Sequence, residues 1–455
     1  MYQPEQAVFD QKLESNIELA YGIEDVPKPW WKVLYYALQI TMVDFTPFIW
    51  SGMFISLAGL DPATALPIMT SACFIVMGIS TLIQTTIGNR LPIVQGPSAA
   101  LTSSMGSVAA TYGLPAVWGS VIVGGVLEGL LGGTRLMSKI RKFLPPVVIG
   151  TIVASIGFVA ARIAIQWTFA ARDAKSLILA LVAFLVALLL KFCGKGILSS
   201  GFILVTVVLV GVIGGSILGI FNWEAVHNAS WFALPKILPF KEMTAGSSPI
   251  AFVGAAIIGG FSGYIGSAFE SVGDYAATCA ACDEVYKIKH IDRGIMAEGI
   301  GCAISAFFGG LPCTSYTQNI GIISATGVCS RVVTQVAALL FLAYGLCPKL
   351  AYILAGIPRP VIGAVFLITT ATIIFSGVDT IISDKRTLRN TLIAGITLAT
   401  SIMLPYHCAS TYSEWAKSLP AFVNMLCTSP VFIAVIMGMV LNLFLNHVLK
   451  DKNEL

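Results

Sequence analysis

The run Pro312-Cys313-Thr314-Ser315-Tyr316-Thr317-Gln318-Asn319-Ile320-Gly321 lies between two strongly apolar stretches of the chain. A lipid interior cannot satisfy amides, hydroxyls and open backbone, so a polar run at membrane depth persists only where it lines a cavity that binds something. This stretch is expected to be a substrate site. Its surroundings bring in the membrane: of 455 residues, 56% are hydrophobic and only 11% charged, with a mean hydropathy of +0.85. A soluble domain carries about 25% charged residues. The expected fold class is therefore an all-α polytopic membrane protein, because apolar stretches of about 20 residues fit spanning helices and exclude a barrel of alternating ten-residue strands.

Working outward, apolar segments fall near 31–58, 65–87, 92–112, 114–134, 145–167, 175–193 and 197–221, and resume near 249–280, 294–311, 312–329, 330–356, 360–382, 388–405 and 420–448. That predicts 14 transmembrane segments, seven on each side of a loop at 222–248. An odd number per half makes the second half enter from the opposite side, the condition for an inverted repeat. With the amino terminus inside, lysine and arginine divide roughly 19 to 8 in favour of the cytoplasmic face, where Arg90, Lys139, Arg141, Lys142, Lys287, Arg331 and Lys450 collect. Both termini are then cytoplasmic. Residues 1–30 read as a polar tail rather than a cleaved signal, and 449–455 as a second short tail.

The third and tenth segments are irregular at corresponding places. In each a proline opens a short extended piece, Pro92-Ile93-Val94-Gln95-Gly96-Pro97-Ser98 and Pro312 onward, before a short helix begins near mid-membrane. Interrupted spans at matching positions of two halves are the best sequence pointer to a midplane site, and each half-helix would aim N–H groups and its positive dipole end at one cavity. The backbone N–H groups of residues 95–98 and 317–321 are expected to face the substrate.

Several side chains could carry the chemistry. Glu270 lies about two-thirds along the eighth segment, where a carboxylate costs a few kcal/mol unless protonated or paired, and no basic residue shares that segment. Asp274, one helical turn on, shares its face but could instead sit in a wet vestibule. Glu298 falls early in the ninth segment among small residues. Gln318 and Asn319 offer donor and acceptor together, which suits the edge of a heterocycle, though amides also serve as glue between helices. Asp44 is the most surprising charge of the first half, with Pro47 beside it to kink the span; it could bind a cation or pair quietly. Glu128 and Asp379 look peripheral. The four histidines, His227, His290, His407 and His447, lie at loops or segment ends, which leaves carboxylates as the titrating groups. The ten cysteines show no metal-ligand spacing, and Cys279-x-x-Cys282 sits at a helix end beside acids, so neither metal nor redox cofactor is expected. No basic block points to nucleic acid.

Gln318-Asn319-Ile320-Gly321 through Gly327 resembles the signature of the nucleobase/ascorbate transporter family, Gln/Glu/Pro-Asn-x-Gly-x-x-x-x-Thr followed by Arg, Lys or Gly. Glu270-Ser271-Val272-Gly273-Asp274-Tyr275, Arg293-Gly294 with Glu298-Gly299, and Pro92-Ile93-Val94-Gln95-Gly96 add to the likeness in the family's order. The resemblance implies a seven-plus-seven inverted repeat with short antiparallel strands in segments 3 and 10. Its core domain would be residues 31–136 and 249–356, and its gate domain 137–221 and 357–448. It also implies a homodimer with an elevator-like shift, and proton coupling as in bacterial members.

Carried over, Glu270 would hydrogen-bond the substrate's ring edge, Gln318 would take the second contact, and Asn319 would hold the site in shape. Gln95, Gly96, Ser98, Phe269 and Thr317 join the substrate-binding set, and Glu270, Asp274, Glu298 and Asp44 the proton-coupling set. Glutamine at 318 resembles xanthine and urate carriers, glutamate the uracil carriers. The family often has histidine after the glutamine of the first span, where Ile40 follows Gln39, and Asp44 is not part of its pattern.

The expectation is thus a symporter for a xanthine- or urate-like purine base, coupled to protons or sodium, in the inner membrane. Uracil or ascorbate is the alternative substrate. An anion exchanger or channel of the same architecture should present a basic residue where this chain presents carboxylates, and an enzyme should present a nucleophile with its base, which is missing here.

Overall fold

The computed structural model describes residues 11–12, 18–136, 145–195, 197–240 and 248–449. The carboxy-terminal tail and Lys139, Arg141, Lys142, Lys450 and Lys452 of the charge tally lie outside these. The fold is a bundle of helices: α1 (Trp31–Val43), α2 (Pro47–Ala58), α3 (Pro62–Thr86), α4 (Ala99–Tyr112), α5 (Leu114–Gly133), α6 (Pro146–Thr168), α7 (Ala174–Cys193), α8 (Phe202–Ile217), α9 (Gly254–Ala281), α10 (Ile288–Phe308), α11 (Thr317–Thr326), α12 (Arg331–Gly345), α13 (Pro348–Ala355), α14 (Arg359–Ile382), α15 (Leu388–Ser410) and α16 (Pro430–Asn442). Four short strands accompany them: β1 (Gln11–Lys12), β2 (Gln95–Pro97), β3 (Val285–Tyr286) and β4 (Cys313–Ser315).

Among the described residues, seven helical spans are long and apolar enough to cross a bilayer, or eight if α12 and α13, bent by 78°, count as one. The surface agrees with a lipid environment. Along α7, Ile178, Leu181, Val182, Leu185, Leu189 and Phe192 all face outward, a stripe that water would penalise and lipid accepts. The protein is a multi-pass membrane protein. The long helices α9 and α10 are less apolar, α9 because it carries Glu270 and Asp274 among small residues and α10 because it carries Lys289, Asp292, Arg293 and Glu298. They tolerate this by being wrapped in protein, α9 against α4 and α5, and α10 against α5 and α3.

The packing is reciprocal between the chain's two halves. Helix α5 packs on α10 as α12 packs on α3, and α6 packs along α14. Glycine makes the α5–α10 contact close: a Cβ at Gly299 would lie 2.2 Å from the Gly129 nitrogen, and one at Gly125 2.6 Å from the Ala303 nitrogen. The first span is more broken than its sequence predicts. Helix α1 ends at Val43, Asp44 caps it through its N–H to the Ile40 carbonyl, and α2 restarts at Pro47, which suits a first helical position.

The amino-terminal segment is tied to the ends of α9 and α11. Strand β1 pairs antiparallel with β3, Tyr21 bridges Val328, and the Gly327 carbonyl accepts from the N–H groups of Ala20 (2.8 Å) and Tyr21 (3.2 Å). Glu24 bonds Arg331 and lies 3.4 Å from Arg90.

Candidate functional site

Both interrupted spans form as strand then half-helix, and the strands meet. Pro92 and Pro312 cannot continue a helix, so each span enters extended. β2 pairs antiparallel with β4 in the register Gln95↔Ser315, Gly96↔Thr314, Pro97↔Cys313. The ladder is closed by Tyr316 N–H to the Val94 carbonyl (2.9 Å) and Ser98 N–H to the Pro312 carbonyl (3.3 Å). Helix α4 then starts at Ala99 with Ser98 as its cap, and α11 starts at Thr317.

Gly96 is required by close approach. A Cβ there would lie 2.3 Å from Cζ of the Tyr316 ring, whose hydroxyl donates to the Pro97 carbonyl (3.3 Å) and accepts from Thr46 (3.1 Å). Gly96 therefore packs the site rather than lining it. Ser98 likewise serves as a helix cap, its Oγ accepting from the Leu101 N–H at 3.4 Å. The expectation that the N–H groups of residues 95–98 face substrate fails on accounting: Gln95 N–H bonds Thr81 Oγ1 (2.9 Å), Gly96 is paired with Thr314 within the ladder, Ser98 N–H closes it, and Pro97 has none.

Helix α9 brings its carboxylates to this junction. Asp274 accepts from Ser315 Oγ (2.7 Å) and from Thr317 Oγ1 (2.9 Å), and the Thr317 bond fixes the first turn of α11 against the turn of α9 that carries Glu270. Behind the strands, Glu298 Oε1 accepts from Ser271 Oγ (2.8 Å) and from the Ser315 N–H (3.0 Å), while Oε2 has no hydrogen-bond partner. Asn319 donates to the Pro92 carbonyl (2.6 Å), a bond between the two broken spans. The Gln95 side chain is fully buried with neither amide atom bonded, while its backbone carbonyl accepts from Thr81 Oγ1 (3.3 Å).

Accessibility separates the groups that hold the frame from those facing open space. Asp274, Glu298, Asn319, Gln95 and Ser98 are buried, whereas Glu270 is half-buried and Thr317 and Gln318 are exposed. Beyond them an accessible stripe continues along α9 through Gly273 and Ala277 and along α11 through Gly321 and Ser324. A Cβ at Gly273 or Gly321 would meet nothing within 4 Å. The open space therefore runs from Glu270 and Gln318 toward the ends of α9 and α11 that hold the amino-terminal segment.

Two expected members stand apart. Phe269 is 7% exposed, in an apolar cluster with Ile152, Ile156 and Val431. Asp44 is fully buried at the break in the first span, near Tyr316, with neither carboxylate oxygen bonded.

The sequence reading missed two features. Glu128, expected at the periphery, is 1% exposed on α5, near Glu298, and neither of its oxygens has a hydrogen-bond partner. Its flanking glycines, Gly125 and Gly129, were the available signal of a buried helix face. The hydroxyls of Ser271, Thr314 and Ser315 link the carboxylates (Ser271 to Thr314 at 2.7 Å, Ser315 to Ser271 at 3.0 Å). Among the described residues no group of three or more His, Cys, Asp or Glu could hold a metal.

Glu270, Thr317 and Gln318 thus stand accessible beside the starts of two half-helices, a place where a small polar molecule could bind. The likeness to known proteins agrees. The permease family whose profile is named for xanthine and uracil matches residues 31–410, and the chain belongs to this xanthine/uracil permease family. It is 30% identical over 447 residues to a provisionally named purine permease of Clostridium perfringens (strain 13 / Type A), covering 95% of this chain and 94% of that one. It is 29% identical over 471 residues to the uracil permease of Bacillus subtilis (strain 168), covering 97% and 98%. With the xanthine permease XanQ of Escherichia coli (strain K12) identity is 26% over 465 residues, 96% of each chain. In fold it is similar to the transmembrane domain of a cyanobacterium bicarbonate transporter, BicA, with a TM-score of 0.62 at 14% identity over 92% of this chain and 98% of that one.

Proposed function

We propose that the chain is a secondary carrier that brings a purine nucleobase of the xanthine or urate type into the cell together with protons. The observation that carries this reading is the division of labour in the pocket. Glu270 and Gln318 alone of its acid and amide side chains face open space, while Asp274, Glu298, Asn319 and Gln95 are enclosed. A carboxyl and an amide side by side match the alternating N–H and C=O edge of a hydroxylated purine, and the first N–H groups of α11 complete the set. Gln318, rather than glutamate, favours xanthine or urate over uracil.

The finer architecture belongs to the same proposal: 14 spans as a seven-plus-seven inverted repeat, with core residues 31–136 and 249–356 and gate residues 137–221 and 357–448. The reciprocal α5–α10 and α3–α12 packing supports it. Both termini are cytoplasmic, the membrane is the inner one, and the carrier works as a homodimer. An anion exchanger of this fold is disfavoured, because no ion pair among the described residues brings a cation to Glu270, Asp274 or Glu298.

Uptake of labelled xanthine, urate, uracil, ascorbate and bicarbonate into proteoliposomes, with and without an inward proton gradient, tests the reading. Xanthine or urate should accumulate only with the gradient. Glu270→Gln should reduce specific uptake at least about a hundredfold, since a site built to bond a polar edge rejects a mismatch strongly. Equal uptake of bicarbonate, or gradient-independent accumulation, overturns it.

A further inference from the structure

Four buried or half-buried carboxyls, Glu270, Asp274, Glu298 and Glu128, lie in one region without a hydrogen-bonded cation among the described residues. Two of them are joined by hydroxyls in an unbroken line. Asp274 Oδ2 lies 2.7 Å from Ser315 Oγ, Ser315 Oγ 3.0 Å from Ser271 Oγ, and Ser271 Oγ 2.8 Å from Glu298 Oε1. Every oxygen in that line is buried. Its Asp274 end touches Thr317, whose residue faces the pocket, and its Glu298 end lies behind the β2–β4 strands.

Resting on the reading of the chain as a proton-coupled carrier, we infer that Ser315 and Ser271 relay the coupled proton between Asp274, beside the substrate, and Glu298, behind the strands. The transfer balances. Protonated Asp274 gives its proton to Ser315 Oγ, Ser315 gives its own to Ser271 Oγ, and Ser271 gives its own to Glu298 Oε1. Asp274 ends as carboxylate, Glu298 as carboxylic acid, and each serine again holds one proton. The hydroxyl dipoles must turn over before the next transfer, which a 2.7 Å contact from Ser271 to Thr314 Oγ1 assists by offering an alternative partner.

The surroundings of both ends make the relay meaningful. Facing Asp274 are Glu270 and Glu298; facing Glu298 are Glu128 on α5, Tyr275 on α9, and Cys302 and Cys313 on α10 and β4. Glu128 is near Cys302, Tyr264 and Tyr275. Glu128 near Glu298 gives that end of the line a reason to take up the proton, since two buried carboxylates with no cation bonded to them repel one another. In this way the pocket can shed its negative charge without exposing the proton to the open stripe along α9 and α11.

The test uses the full-length protein in proteoliposomes, with labelled xanthine and a trapped pH dye. Ser271→Ala, Ser315→Ala and the double variant leave every carboxyl and the Ser315 N–H in place, while Ser271→Thr and Ser315→Thr keep the hydroxyl. Wild type should accumulate about tenfold per proton for a one-unit gradient. The alanine variants should fall to about unity and lose xanthine-dependent proton entry, yet keep xanthine exchange at equal pH within about twofold of wild type. The threonine variants should recover accumulation. Wild-type accumulation by the double alanine variant overturns the relay, as does equal loss of exchange and accumulation, which would mark the serines as structural. A wild type that exchanges xanthine but never accumulates it refutes proton coupling itself, and the relay with it; no xanthine exchange at all refutes the substrate reading.

Discussion

Gly96 and Tyr316 show how little freedom the pocket leaves at single positions. The ring of Tyr316 occupies the place of a missing side chain, and its hydroxyl joins Thr46, after the break in the first span, to the Pro97 carbonyl of β2. Gly96→Ala should therefore force the ring away and cost about 1–3 kcal/mol by overpacking, read as a drop in thermal unfolding temperature in detergent. Adding Tyr316→Ala should recover part of that loss, because it removes the atoms in conflict. Asp44 is the opposite case, a fully buried acid with no bonded partner at a helix break. Its chemistry could be read from the sequence, but its surroundings could not, because they include Tyr316, about 270 residues away.

At the scale of elements, the two interrupted spans were legible because their punctuation is local. Proline followed by amides and hydroxyls cannot continue a helix in lipid, and the same pattern at matching places in both halves marked them as partners. The register of β2 on β4 was not legible, and neither was the turn of α5 that faces α10. Both depend on packing between segments more than 150 residues apart, which is why Glu128 and the serine hydroxyls escaped notice. The accessible stripe on α9 and α11 makes a separate prediction. Single cysteines at Gly273, Ala277 and Gly321, in a Cys193→Ser background, should react with a membrane-impermeant thiol reagent applied from the face bearing the amino-terminal segment, and saturating xanthine should slow the reaction several-fold. Labelling only by lipid-soluble reagents would mean that the stripe faces hydrocarbon.

For the whole molecule, the consequence of the two-stranded ladder is mechanical. One strand comes from each side of the long central loop, so the ladder rivets the two stretches together, and transport by prying them apart there would have to break it. The pairs Gln95↔Ser315 and Pro97↔Cys313 do not exchange ladder hydrogen bonds, since the bonds fall at Val94 with Tyr316 and at Ser98 with Pro312. Such pairs bring Cα atoms to about 4.5 Å, within the span of a disulfide. Pro97→Cys should thus be stapled to the native Cys313 by a mild oxidant, and the stapled carrier should still cycle at near its reduced rate. Reductant-reversible arrest would mean that the two strands part on every turnover.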